Sequence, residues 1–564
     1  MKHHDAPPRR AGADAFLRSN SDAYEWAVRR CQSFDPVRRP EAALAAVATA
    51  AGFAAAFHAG RFADGAIENI ALRIGSLSYP LPPDDLGIVM RPPQHPGRRR
   101  VLHVATHMVG IAGHARMLGH WVRSDATRCH SLVLLDQQAR PVPAWLIEAV
   151  RASGGDFASL PSYAPVLDRA RWLREVARRD ADLVVLHHDG HDVIPVVAFA
   201  VPGGPPVAVL HHADHQFWLG SSVADAVIHL RSPACAHSAA RRQVAVNLVL
   251  PVPLAVREEV PSRALARQAL GIRPDRTVLL SIGREVKYRP CGDFDFVATA
   301  GRILERLPGA HLYVVGATPA ALAPHLRSVP HARLHLVGSV DDPSVYRAAA
   351  DVYLESFPFG SQTALLESAL CGLPVVPAYA PLFELLVAND DAVADLLPNP
   401  PDEAAYIDQA VALAQDPARC AAAGAALRAR LLADHVGAGW QARLEAVYRV
   451  TDGLVHRPHT LAPSGPVLSP ADVGLSLWHV AADGRHFAPV GPQDMLPVAV
   501  ASHSAYVSRV VRDFSGARCR AWRAVTLDPL SAARWRVLGV ALLGPYAGTL
   551  RRLAAATTCR EAAA

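Results

Sequence analysis

Two separate series of short apolar runs, each run trailed by an amphipathic stretch, dominate the middle of this chain and limit what it can fold into. The first series begins at Arg100 and holds VLHVAT, SLVLLD, LVVLHH, PVAVLH, AVIHL and VNLVLPVPL. The second holds RTVLLSIG, HLYVVG, RLHLVG, ADVYLES and LPVVPAY, with helical patterns such as FDFVATAGRILERL between them. Short β-branched runs alternating with helices read as parallel strands buried on both faces by their crossover helices. A chain of 564 residues also exceeds what one compact core can organise.

The expectation is therefore an α/β protein with two doubly wound, Rossmann-like domains, residues 98–252 and 253–451, separated at Pro251-Val252-Pro253. Residues 1–97 read as a helical leader closed by the Pro-rich YPLPPDDLGIVMRPPQHPG, and 452–564 as an extension whose pattern assigns it no role. Tandem doubly wound sheets turn the carboxyl ends of their strands to a common cleft, where ligands bind in such folds.

Composition narrows the partners. The net charge of +6, from 57 Lys+Arg against 51 Asp+Glu, comes without a long basic run, which argues against nucleic-acid binding while leaving room for a local diphosphate site. The eight cysteines form no Cys-x-x-Cys pair, so neither a zinc ribbon nor a disulfide framework is indicated. MKHHDAPPRRAGADAF lacks the apolar segment of a secretory signal, and a cytoplasmic location is expected. Val193 to Leu210 is interrupted by Pro195, Pro202, Gly203, Gly204, Pro205 and Pro206, which predicts two buried strands and a turn instead of a membrane span. For the amphipathic stretch from Leu538 to Leu553, packing on the protein's own core is favoured; peripheral contact with the inner membrane face is the alternative.

A donor site can be read from the second series. Gly283-Arg284-Glu285-Val286-Lys287-Tyr288-Arg289-Pro290 follows a strand, and Arg284 or Lys287 there can bind a pyrophosphate and stabilise it as a leaving group. In ADVYLESFPFGSQTALLESALCGLPVV, a strand meets a Pro-Phe-Gly turn. A helix is predicted to start near Gln362, run through Leu370 and stop at Gly372 before Pro374. Its first turn is an anion site by virtue of free N–H groups, with Ser361 and Thr363 as further donors and Gly360 allowing close approach. Glu367, four residues beyond Thr363, lies one turn along the same face, where a carboxylate suits ribose hydroxyls.

The strand with Ser-x-Gly and Lys287-Tyr288-x-Pro290, the Pro-Phe-Gly turn, Thr363, Glu367-Ser-Ala-Leu and Gly372-Leu-Pro-Val-Val resemble the C-terminal domain of GT-B glycosyltransferases. The likeness is to the O-GlcNAc transferase and bacterial cytoplasmic N-glycosyltransferase group, with looser kinship to the large retaining family. It implies a nucleotide diphosphate-sugar co-substrate, a UDP-sugar ahead of a GDP-sugar, with no tightly bound cofactor and no metal. It also implies diphosphate contacts from Lys287 and from Gly360, Ser361, Gln362 and Thr363, and a ribose contact from Glu367. Phe359 stands where the retaining pattern carries a glutamate, and Ser-Gln-Thr where the O-GlcNAc transferase pattern carries His-Thr-Thr.

On the acceptor side, HMVGIAGHARMLGHW places Gly110 and Gly113 before a helix and His114 in its first turn, where the dipole favours a neutral, proton-accepting imidazole. Two further runs, His187-His188-Asp189-Gly190-His191-Asp192 and His211-His212-Ala213-Asp214-His215, follow strands and face the same cleft. His114, His188, Asp189, His212, Asp214 and His215 are the candidates for a catalytic base. The acceptor class, whether protein, glycan or lipid-linked glycan, is not encoded in these motifs. The competing readings are a nucleotide-sugar epimerase or phosphorylase on the same fold, and a metal hydrolase built on the His/Asp runs.

Overall fold

The computed structural model describes residues 12–79, 86–92, 94–95, 97–109, 113–257, 259–379, 383–387, 389–483 and 496–543. Three leader helices, α1 (Asp14–Gln32), α2 (Pro40–Phe57) and α3 (Gly65–Leu77), open the chain. The first sheet is built from β1 (Arg100–Ala105), β2 (Cys129–Leu134), β3 (Phe157–Ser159), β4 (Leu183–His187), β5 (Val207–Leu210), β6 (Ala226–His229) and β7 (Asn247–Val249). Its seven strands are all parallel, in the order β3-β2-β1-β4-β5-β6-β7. The crossovers are α4 (Gly113–Ser124), α5 (Ala144–Ala152), α6 (Val166–Asp180), α7 (Ile194–Ala198) and α8 (Pro233–Arg242).

Alternation along β1 decides the two faces. Leu102 and Val104 join the leader helices in one core, so the leader is packed on this sheet through residues such as Tyr24, Leu44 and Ile67. Val101 faces the opposite side, toward Met117 and Trp121 of α4. The stretch from Val193 differs from the sequence expectation: its first part is the short helix α7, and only Val207–Leu210 is a strand. Asp192 accepts the Ile194 amide at 2.9 Å and Pro195 occupies the first turn, so local capping wins over β-branched content.

After α9 (Arg263–Ala269), the second sheet holds β8 (Thr277–Ile282), β9 (Ala310–Val315), β10 (Leu334–Gly338), β11 (Val352–Leu354) and β12 (Val375–Val376). Its five parallel strands run in the order β10-β9-β8-β11-β12. They are covered by α10 (Phe296–Arg306), α11 (Pro319–Leu322), α12 (Ser344–Ala349), α13 (Gln362–Leu370), α14 (Glu403–Gln415) and α15 (Pro417–His435). The chain then returns: α16 (Gly437–Thr451) buries Trp440, Leu444, Val447 and Tyr448 against Val101, Leu183 and Val185 of the first sheet.

The extension is more ordered than its pattern suggested. It forms α17 (Pro470–Asp483), α18 (Leu496–Val510), α19 (Phe514–Leu527) and α20 (Ala532–Leu543); of the stretch from Leu538 to Leu553, the part beyond Leu543 lies outside the described residues. Asp472 of α17 is buried between His58 and Arg241, tying the extension to the leader and the first domain. Leu475 and Trp478 of the same helix enter the core of the second.

Trp440 is 1% exposed and donates its indole N–H to Pro251 O at 2.7 Å. Trp440→Ala is expected to cost about 3–5 kcal/mol of stability, read as a lowered urea midpoint with the first domain affected most.

Candidate functional site

The segment after β11 builds the centre of the site. Leu365 N donates to Ser361 O as the first rung of α13, so the amides of Gln362, Thr363 and Ala364 precede the helical ladder and point out of its start. The helix closes through Gly372, whose φ of +86° is the left-handed conformation that a side chain disfavours. The loop after β8, a single turn of 3-10 helix over Glu285–Tyr288, lays Lys287 against this start. Its Nζ donates to Gly360 O at 2.5 Å and sits 4.4 Å from the centre of the Phe359 ring. The contact is possible because residue 283 is glycine: a Cβ there would stand 2.5 Å from Ser361 Oγ.

A buried carboxylate that the motif reading passed over lies near enough to Lys287 to favour its charge, without forming an ion pair with it. Glu355, at the end of β11 and 3% exposed, accepts the amides of Ser361 at 2.5 Å and Ser356 at 2.9 Å through one oxygen. Burial pushes the Glu355 carboxyl up to about 7, against the pull of those amides and of Lys287. Burial likewise brings the Lys287 ammonium down to about 8, opposed by Glu355 and reinforced by Arg284 and Arg231. Ser361 Oγ and Gln362 Nε2 are buried with no protein partner, so the polar lining of this pocket is left for a ligand to satisfy.

Phe359 serves as a platform. His215 and Trp478 meet its ring edge-on at 4.9 and 4.7 Å, with Lys287 over the ring. His215 comes from the first domain and Trp478 from α17, so three parts of the chain share one wall. Nothing in the pattern around Trp478 marked it, because the contact exists only through the fold. Lys287 did carry a signal in the composition: the only other lysine is Lys2.

The remaining candidates separate by geometry. Glu367 pairs with buried Arg347 of α12 through one oxygen, and through the other with Arg116 of α4 at 3.3 Å, across the cleft. Arg284 is exposed at the rim. A methyl placed on Gly113 would lie 4.0 Å from Thr363 Oγ1, so the start of α4 does face the start of α13; Gly110 lies outside the described residues. Asp214 is engaged by Arg231 at 2.9 Å, and that guanidinium holds its carboxyl well below the usual range despite burial. His188 is turned to the Leu219 carbonyl at 2.6 Å and to Trp218. Asp189 lies 3.3 Å from His107, and burial of the carboxylate is outweighed by that imidazole, which lowers its pKa. His114 and His212 approach with ring centres 5.8 Å apart, and burial keeps both neutral, His212 at about 3. Among the described residues, no three His, Cys, Asp or Glu side chains gather as a metal-ligand set.

Two parallel, doubly wound sheets with a helix crossing back to the first, and an open helix start facing the first domain across the cleft, define the GT-B architecture. Residues 276–416 match the family model described as Glycosyl transferases group 1, a span that includes Lys287, Glu355 and the whole of α13. No curated protein matches the chain. Among solved structures, a mutant of the Thermobaculum terrenum O-GlcNAc transferase is similar at 19% identity over 77% of this chain and 82% of that one, with a TM-score of 0.47. Sucrose-phosphate synthase from Thermosynechococcus elongatus is similar at 17% identity over 63% and 99%, TM-score 0.44. Anabaena HepE, solved in complex with UDP-glucose, is similar at 16% over 62% and 99%, TM-score 0.43.

With only two lysines in the chain, selective isotope labelling isolates Lys287. Its amine is expected to titrate near pH 8 by NMR. Glu355→Gln removes the negative charge that favours the ammonium, so the titration should move to lower pH; an unchanged or higher midpoint would contradict that influence.

Proposed function

We propose that the protein is a glycosyltransferase that moves a sugar from a nucleoside diphosphate-sugar to an acceptor hydroxyl. The observation that carries this reading is the placement of Lys287 at the open start of α13, inside the span matched by the family model. A diphosphate there accepts N–H bonds from the first turn of the helix and a charge-assisted bond from Lys287. The same contacts strengthen as the C–O bond to the sugar breaks and charge collects on the leaving phosphate.

Gln362 and Thr363 lie in that first turn, and Ser361 Oγ and Gln362 Nε2 supply side-chain donors. Glu367 takes the ribose hydroxyls, held in orientation by Arg347 and exchanging its contact with Arg116 for the ligand. UDP-sugars are the first donors to test. The acceptor is a protein, glycan or lipid-linked glycan.

The reading extends to a cytoplasmic enzyme peripheral to the inner membrane face. Trp522 and Trp535 of α19 and α20 meet at 6.2 Å and are 54% and 49% exposed, next to Leu530 at 97% and the exposed Arg523 and Arg536. Aromatic side chains beside arginines suit a surface of anionic headgroups.

By calorimetry, UDP is expected to bind the wild type, and Lys287→Ala and Glu367→Ala to weaken it by on the order of thirtyfold or more, the scale for removing one member of a desolvated charged contact. Because burial lowers the Lys287 pKa to about 8, the cation is complete below that pH and lost above it, so UDP affinity falls as pH rises through 8. UDP affinity unchanged from the wild type in both variants defeats the donor-site reading. Vesicles containing phosphatidylglycerol should sediment the full chain, and Trp522→Ala with Trp535→Ala should reduce the bound fraction severalfold; no sedimentation removes the membrane assignment.

A further inference from the structure

Four histidines of the first domain form a line that the donor site does not use. β1 pairs β2 with Val101 opposite His130, and pairs β4 with Ala105 opposite His187. His103 lies midway between those levels, so each step along the line moves one strand over and two residues forward. An offset of two residues preserves the face of the sheet, and all the rings point to the side covered by α4 and α16. His130 Nδ1 and His103 Nε2 are 3.0 Å apart, His103 Nδ1 and His187 Nε2 3.0 Å, and His187 Nδ1 and His212 Nε2 3.4 Å. Trp121 lies over His103 and His187, and both are buried, whereas His212 is only partly so and stands beside His114 in the cleft.

The inner end is anchored. Asp125 lies at the end of α4 and is 5% exposed, with one oxygen 3.3 Å from His130 Nε2, an ion-pair contact that does not meet hydrogen-bond geometry. Tyr448 OH donates to that same oxygen at 2.8 Å, and Thr127 and Arg128 serve the other. Burial opposes its ionisation, but the His130 imidazole first, then Tyr448 and Thr127, hold Asp125 well below the ordinary carboxylate range.

A carboxylate accepts only. It therefore selects the Nε2–H form of His130, whose Nδ1 then accepts from His103 Nε2–H. The same choice repeats through His187 to His212, because each neutral imidazole has one donor and one acceptor. Every ring is set by the one before it, and His212 is left with an unprotonated Nδ1.

We propose that Asp125, His130, His103 and His187 form a proton relay that orders His212 as the general base for the acceptor hydroxyl. The O–H bond of the acceptor breaks as its oxygen bonds to the anomeric carbon, and the electron pair of the old C–O bond leaves with the nucleoside diphosphate. The proton goes to His212 Nδ1. His212 passes its Nε2 proton to His187 Nδ1, His187 passes its own to His103 Nδ1, and His103 to His130 Nδ1, so the positive charge comes to rest beside Asp125. After product release the same transfers run in reverse and deliver the proton to water. A lone His212 cation would stand partly buried beside His114 with no counter-charge, and the relay removes that cost. The transferase reading supplies only the identity of the proton donor; the order of the tautomers stands on the geometry alone. His103, His130, His187 and Asp125 are positioning residues, since they act through His212.

The test is NMR of the full chain labelled with ¹⁵N-histidine, the four resonances among the 27 histidines being assigned by single His→Gln variants. In the wild type, all four rings are expected in the Nε2–H form. Asp125→Asn, which replaces the pure acceptor with a group that also donates, is expected to move His212 to a mixed or Nδ1–H form while UDP affinity stays within twofold. Should that variant fail to fold, His130→Gln interrupts the same chain one step further in and is expected to do the same. A wild-type His212 protonated at Nδ1, or a His212 tautomer indifferent to whichever of these variants folds, overturns the relay. Failure of UDP to bind the wild type overturns the transferase reading instead, and leaves the tautomer result intact.

Discussion

A partly buried ammonium must be compensated, and the arrangement that compensates Lys287 organises the cleft. The loop after β8 brings the lysine to the start of α13, Glu355 at the end of β11 supplies the charge, and the Phe359 ring supplies a polarised face. Because burial disfavours both ions, their mutual attraction and the amide bonds to Glu355 decide the protonation states. On the proposed donor-site reading, a diphosphate entering this pocket would meet a partly buried cation already aimed at it. That is the condition under which electrostatic stabilisation of a leaving group is strongest.

The rest of the architecture holds this pocket against the first domain. α16 returns to the first sheet through Trp440 and Tyr448, and α17 returns to the second through Leu475 and Trp478. The two sheets are thus held by segments that lie far from either in sequence. The first domain reaches the second through His215 against Phe359 and Arg116 against Glu367, and also through Arg231 to the Leu385 carbonyl and Ser232 to Asp391. The leader contributes as well, since Phe62 stacks on Phe383 at 5.9 Å in the second domain's core.

The first domain buries polarity that an apolar sheet would not need. Imidazoles at His103, His130 and His187 occupy positions on a face otherwise filled by Val101, Val185 and Leu183. Each nitrogen of these three imidazoles has a neighbour at hydrogen-bond or ion-pair distance, which is what makes them tolerable in a core. The parallel register, with its fixed offset of two residues per strand, turns three separate strand positions and one loop position into a single contact path.

Much of the fold was legible because it follows from period and punctuation. All five strands of the second sheet, six of the seven in the first, and α13 with its stop at Gly372 coincide with apolar runs and with Gly and Pro signals. The short β3 lacked such a run, and α7 hid behind β-branched residues whose helix is set by Asp192 and Pro195. By itself the sequence determined the two doubly wound domains, since these follow from runs of neighbouring residues; that Lys287 and the helix start share one site, although 73 positions separate Lys287 from Gly360, came from the resemblance of their motifs to GT-B enzymes. Only the tertiary structure decided that Glu355 faces Lys287, that Trp478 closes the pocket, and that His188 and Asp214 are engaged elsewhere while His212 ends a line of imidazoles. Those outcomes depend on strand register and on the return of α16 and α17, and contacts between residues on separate elements leave no periodic trace in the chain.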